Sequence, residues 1–417
     1  MSLCARVPCT ISTTPSFRVL PGARSRCALR VSDLGLIRTS PATAGRAAAR
    51  QATRHRAERR NRRMADVSRN WQFPETTPQG THIQRLYIVF EGHLGVARDH
   101  AYDRPDGKVT MDDRAFQANL AEIRDDRASG AGALARRCLA ILAASAEAAP
   151  ARNAEYLGAV LRDRAAALAA ARPSMAPVPN LIRRWRAALP PAASDLEGLR
   201  TAAAETARRV SRDSEAATAQ AARLAAGHLY KSLAGHSAPV ILTLSWSAVV
   251  AQALAALAVS DAEVRVAESR PLNEGARLAE FLAGEGLAVT LITDAQMAQA
   301  AARAALGICG ADTLLADGTV VNKTGTAPMA LALKDAGRPL IAACESFKLT
   351  PASVPLTFEE MDGAELGYGE GRPFAVRNVY FEAVPPRLID AWVTENGVAR
   401  APDDLTRLNP LPAPVPD

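Results

Sequence analysis

The sequence predicts an α/β protein in which a mainly helical N-terminal domain precedes a parallel-sheet domain. Two patterns predict it. Residues 113–228 are rich in Ala and Arg with helical periodicity, and residues 238–394 alternate short, wholly apolar runs with helical segments. Such runs are too short for surface helices and read as strands buried on both faces, as parallel sheets require. A third observation orients them: the runs at 240–244, 264–267, 289–293, 306–309 and 339–343 lead into Ser245, Glu268, Asp294, Asp312 and Glu345. In a parallel sheet those groups fall along the carboxyl edge, outside which ligands of open α/β sheets bind.

Taken in order, residues 1–63 come first. They hold fourteen arginines against Asp33 and Glu58, so the formal net charge of +7 resides there and the rest of the chain is mildly acidic. The basic balance is therefore no sign of a nucleic-acid-binding face. A segment rich in Arg, Ser, Thr and Ala fits a transit peptide or an over-extended start ahead of Met64. The second is favoured, because ordinary sequence begins at Met64, and the segment is expected to be a disordered tail.

Residues 64–236 are expected to form the helical domain. Up to residue 112 they read as loop with one short strand at 86–90. Four or five helices follow, broken at Ser129-Gly130, Ala149-Pro150, Arg172-Pro173 and Pro190-Pro191. The repeated alanines read as base composition and helix propensity rather than as a true repeat.

Residues 237–417 are the expected α/β domain. A helix at 326–336, opened by Gly325-Thr326 and closed by Gly337, joins the runs at 306–309 and 339–343 into a β-α-β unit. Further strands are expected at 379–381 and 391–394. The polar, Gly-rich interval 357–372 is a long loop suited to covering a site or meeting a partner.

No apolar run approaches the roughly 20 residues that span a bilayer, so no membrane association and a cytoplasmic location are expected. Cys4, Cys9 and Cys27 lie in the tail, and Cys138, Cys309 and Cys344 are scattered through core-like segments, which is neither a disulfide framework nor a zinc site. All six histidines lie at or before His236. The sheet region thus has no imidazole, and neither a metal nor a cofactor is expected.

Several residues carry candidate chemistry. Lys323 after a turn at Asp317-Gly318 and Lys348 after the last of the runs both reach the carboxyl edge, where two ammonium groups point to an anionic ligand. Their structural alternatives are a turn cap and a solvated side chain. Gly325-Thr326 at a helix start offers backbone N–H groups and a hydroxyl to a phosphate, or is an ordinary cap. Ser129, Gly130 and Ala131 open another helix in the same manner. Asp312 follows an apolar run, so desolvation would raise its pKa and suit it to proton transfer, unless it only caps the next turn.

The combination of "GAD", then "NK", "GT" and "ESFK", with "ESRPLNEGARLAEFL" upstream, resembles a known family. It unites the alpha, beta and delta subunits of translation initiation factor 2B with methylthioribose-1-phosphate isomerase and ribose-1,5-bisphosphate isomerase. The resemblance covers residues 115–395. It implies a helical domain followed by a Rossmann-like domain, and a homodimer or higher oligomer formed through the latter. It also implies that Asp312 is a catalytic acid/base, that Asn322, Lys323 and Lys348 contact a phosphorylated sugar, and that Arg172 in "ARPSMAPVPNL", with Asn180, binds phosphate.

Departures from the family pattern fall within the same site. "LTLSWSAVV" places Ser245, near Ser247, where the isomerases have a catalytic cysteine, and a hydroxyl is far less acidic than a thiol of pKa about 8.5. Ser129-Gly130-Ala131 replaces an Arg-Gly-Ala turn, with Arg127 as a substitute. Glu274 stands where the methylthioribose enzymes have glutamine, and a carboxylate there repels phosphate. Two functions follow: an aldose 1-phosphate to ketose phosphate isomerase, or a non-catalytic initiation factor 2B-like subunit that senses a sugar phosphate or nucleotide.

Overall fold

The first helix, α1 (Asp113–Asp125), starts where the Asp112 carboxylate accepts the Ala115 N–H at 2.8 Å. It ends at Asp126, whose Oδ1 accepts the N–H groups of Ala128 and Ser129. That turn aims the chain into α2 (Ala131–Ala148). The computed structural model describes residues 111–189, 195–258, 260–368 and 371–411, all within the unit Gly80–Asp417. The expectations for residues 1–63 and for a strand at 86–90 lie outside the described residues.

Three more helices complete the helical part: α3 (Ala154–Ala170), capped by Asn153, α4 (Pro177–Ala187), with proline in its first turn, and α5 (Leu196–Ser232). α5 is 37 residues long and belongs to two cores. Ala203, Ala204, Ala207 and Val210 pack with Leu134, Leu139, Leu181 and Trp185 of the helical part. Further along, Ala221, Ala222, Ala225 and Leu229 pack under the sheet against Val249, Leu254 and Ile308. These alanines form packed faces, on which a missing γ-carbon lets elements approach closely.

The sheet strands are β1 (Val240–Leu244), β2 (Glu263–Ala267), β3 (Ala288–Ile292), β4 (Leu306–Cys309), β7 (Leu340–Ala343), β12 (Ala391–Thr394) and β13 (Gly397–Ala399). Their order is β13-β12-β7-β4-β1-β2-β3, parallel except for β13. Alternate side chains feed opposite faces: Ile241 joins the core with α6 (Ala248–Ala255) and α7 (Glu274–Gly284), whereas Leu242 and Leu244 join that with α8 (Met297–Ala301), α9 (Thr326–Asp335) and α10 (Pro402–Leu408). Both faces are covered over β1, β4, β7 and β12, which is why these strands lack polar alternation, whereas the run expected as a buried strand at 289–293 is the edge strand β3 and is half exposed. β1 and β4 are parallel neighbours, and the direction in which successive strands are added to the sheet reverses between them.

A second sheet was not foreseen. β5 (Thr313–Leu315) and β6 (Val320–Lys323) form a hairpin that pairs with β8 (Leu349–Thr350) and β11 (Phe381–Val384). Its turn is the expected one, with Asp317 accepting the Thr319 N–H at 2.8 Å and Gly318 at a φ of 87°. The single strand expected at 379–381 divides at Tyr380. β10 (Asn378–Val379) pairs with β9 (Glu360–Met361), while β11 pairs with β6. The interval 357–372 is therefore not pure loop.

Candidate active site

At the switch point the ends of β1 and β4 diverge and leave a pocket with a cavity volume of about 110 Å³. Its floor is set by Ser245 after β1 and by Asp312 after β4. Ser245 adopts a φ of 57°, and its N–H donates to Ser269 Oγ at 2.8 Å, so a non-glycine residue is held in the left-handed region. Ser247 caps α6, accepting the Val250 N–H at 3.4 Å. The Asp312 N–H donates to Val321 O at 2.8 Å, which ties the aspartate to the hairpin carrying Asn322 and Lys323.

The structure brings Ser129, Gly130, Ala131, Arg172, Ser245, Ser247, Glu274, Asp312, Asn322, Lys323 and Lys348 round this one pocket. Burial pushes the Asp312 carboxyl above its usual range, and Glu274 adds to that push, while Lys348, Lys323 and Arg172 oppose it. A carboxyl so placed exchanges protons nearer neutrality than an exposed aspartate.

Neither lysine is a surface group. Lys323 Nζ lies 2.7 Å from Glu274 Oε1 and 4.3 Å from the centre of the Tyr380 ring. Lys348 Nζ lies 3.0 Å from Glu345 Oε2, and both side chains are buried. Burial alone would raise the Glu345 pKa, but Lys348 and the Thr218 hydroxyl, which donates at 2.6 Å, hold it below the usual range. Across the pocket α2 presents its first turn with no side-chain cap at Gly130. An uncapped N-terminus of this length attracts anions. Buried Arg172 donates to Asp126 O at 2.8 Å and lies 3.3 Å from Glu359 Oε2, although its Nε makes no hydrogen bond.

Two sequence expectations need correction. The Gly325-Thr326 helix start is not open to phosphate, because Glu382 Oε1 accepts both the Gly325 and the Ala327 N–H, and the Thr326 hydroxyl donates to Lys323 O. Asn180 does not line this pocket; its Nδ2 donates to the carbonyls of Phe347 and Leu349, on either side of Lys348. Glu268 and Asp294 lie along the edge but outside the pocket, Asp294 receiving the N–H groups of Ser269 and Arg270.

Sequence reasoning missed Tyr380 and Phe381, whose rings flank Lys323, and Glu359 and Glu365, which face Arg172 and Arg127. All four come from beyond residue 357, and nothing in their local pattern signals a partner so far away in sequence. Cys309 and Cys344 are buried free thiols, with burial pushing Cys309 up to about 12 and Cys344 still higher. Neither is a thiolate near neutral pH. Among the described residues no group of three or more His, Cys, Asp or Glu is placed to hold a metal ion, and no helix is long and apolar enough to cross a membrane.

Fold and site together define a doubly wound α/β protein with a helical front and a small, charged pocket at its switch point. The model of the initiation factor 2 subunit family matches residues 127–401, and the chain belongs to that family. It is 31% identical over 305 residues to a ribose 1,5-bisphosphate isomerase of Haloferax volcanii, an alignment covering 69% of this chain and 90% of that one. It is 37% identical over 172 residues to a putative translation initiation factor eIF-2B subunit 2-like protein of Pyrococcus furiosus, covering 40% of this chain and 60% of the relative. Among solved structures it resembles translation initiation factor eIF-2B of Pyrococcus horikoshii OT3, with a TM-score of 0.59, 28% identity and coverage of 70% of this chain and 98% of that one.

Proposed function

We propose that the chain is a sugar-phosphate isomerase that converts an aldose 1-phosphate to a ketose phosphate. The observation that carries this reading is the position of Asp312, a carboxyl with a raised pKa in a pocket shared with Lys323, Lys348 and the open N-terminus of α2. In such a reaction the bond between C1 and the ring oxygen breaks as that oxygen takes a proton. A hydrogen then moves from C2 to C1, and the C2 hydroxyl gives up its proton as the carbonyl forms. Asp312 exchanges the proton, Ser245 assists weakly at the ring oxygen, and Arg172, Asn322, Lys323 and Lys348 hold phosphate or sugar hydroxyls. Similarity to an isomerase along 90% of that relative supports the assignment.

A second reading, a non-catalytic subunit that senses a sugar phosphate or nucleotide, is favoured by one observation: a serine stands where a thiol would serve as acid. Under either reading we place assembly on the α/β domain, where the edge strand β3 leaves Leu291 47% exposed.

Ser245→Cys separates the two readings. In an isomerase, a thiol at the same strand end should raise turnover of an aldose 1-phosphate by roughly 10²-fold, the scale of general acid-base catalysis, and Asp312→Asn in that background should abolish the gain. Clear calorimetric binding with no turnover from either protein would reject the enzyme and leave the sensing subunit.

A further inference from the structure

Behind the wall of the switch-point pocket lies a second cavity, of about 540 Å³. Asp312, Asn322 and Lys348 line the first, and their chain neighbours Thr313, Val321 and Leu349 line the second. Successive residues of an extended chain turn to opposite sides, so one layer of chain divides two separate spaces.

The second space is built like a small-molecule site. Its volume of about 540 Å³ falls within the roughly 300–1,000 Å³ usual for organic ligands. Pro173, Leu349, Val354 and Leu356 give it apolar surface, and a few polar groups converge among them. Two of those groups are incompletely used. Ser174 is 4% exposed and lines the cavity, yet its Oγ makes no hydrogen bond. A buried hydroxyl in that state gains from a partner. Arg183 of α4 lines the same cavity and donates from Nη1 to Asn180 Oδ1 at 2.8 Å. Whereas Lys323, Lys348 and Arg172 in the first pocket each face a carboxylate, the lining of the second holds no Asp or Glu. A guanidinium with donors to spare beside an apolar space matches an oxyanion carried on an apolar body. An inorganic anion alone would leave the apolar volume unfilled.

We propose that this cavity is a second ligand site, which takes a small organic anion: an apolar body against Leu349, Val354 and Leu356, and an oxyanion head at Arg183. Such a site is independent of the sugar-phosphate chemistry across the wall, although Asn180 touches both sides. It accepts from Arg183 and donates to the carbonyls of Phe347 and Leu349, on either side of Lys348.

Two fluorescent probes of nearly one shape test the site in the full chain: 8-anilinonaphthalene-1-sulfonate and the uncharged N-phenyl-1-naphthylamine. The anion should bind saturably and roughly tenfold or more tightly than the neutral probe, and Arg183→Gln should erase that difference. If that variant fails to fold, Val354→Asp decides, because it sets a negative charge at an exposed point of the rim and should weaken the anion more than the neutral probe. Absence of saturable binding, equal affinity for the two probes, or a preference that survives both substitutions would overturn the proposal. So would binding that fades with rising chain concentration as a dimer forms in analytical ultracentrifugation, since a second copy of the chain would then be the occupant.

Discussion

Asp312 couples stability to chemistry. A carboxyl whose folded pKa is raised stabilises the fold while protonated; that contribution is complete below the usual value of 3.8 and is lost as pH rises through the raised one. Asp312→Asn, neutral at every pH, should therefore melt above the wild type at pH 7, with the difference vanishing below pH 3.8, while turnover falls by roughly 10²-fold or more. Equal melting temperatures at pH 7 would show that the carboxylate carries no burial cost. Lys348 presents the opposite case. Because it and Glu345 are both buried, Lys348→Met is no surface substitution: it strands a carboxylate and should cost about 3–5 kcal/mol in chemical denaturation. Adding Glu345→Gln removes the stranded charge and should restore most of that loss.

At the level of elements, the pocket depends on how α7 is seated. Gly275, next to Glu274, lies so close to the end of β2 that an added Cβ would come within 1.9 Å of Ala267 O. The oxygen is backbone and cannot turn aside. Gly275→Ala should therefore lift the first turn of α7, destabilise the protein by at least the roughly 1–3 kcal/mol typical of overpacking, and displace Glu274 from Lys323. A thermal melt with ligand titration checks both effects, and an unchanged melt with unchanged affinity would show that α7 tolerates the shift. The ends of α2 and α9 differ instructively. Both open on glycine, but Glu382 of β11 fills the N-terminus of α9, whereas no side chain caps that of α2. Only the second is open to an anion.

Across the whole molecule, α5 and α4 both tie the helical part to the sheets near the pocket. α5 runs through both cores and carries Thr218 to Glu345. Asn180 on α4 holds the carbonyls of Phe347 and Leu349 at 2.8 and 3.1 Å, fixing Lys348 between them. Asn180→Ala leaves those buried carbonyls short of a donor, at a cost of about 1–3 kcal/mol. In a protein of this size that is a fall of several degrees in Tm, and because Lys348 loosens, ligand affinity should fall with it. A lower Tm with full affinity would confine Asn180 to a structural role.

The sequence by itself determined the strand-helix alternation of the sheet and the residues at its carboxyl edge. Apolar runs such as 240–244 and 306–309 are local patterns, and a strand buried on both faces writes its whole length in Val, Ile, Leu and Ala. Ser245, Asp312 and Lys348 were legible for the same reason, since each follows closely on such a run. Only the tertiary structure decided which edge groups share a pocket and which helix start stays open. Asp294 and Asp312 read alike along the chain, yet the strand order puts one beside a peripheral strand and the other at the switch point. Gly325-Thr326 and Gly130-Ala131 also read alike until Glu382, more than fifty residues away, occupies the first. Charge pairing, capping and desolvation depend on distance in space, and a partner on another strand leaves no mark on the local sequence.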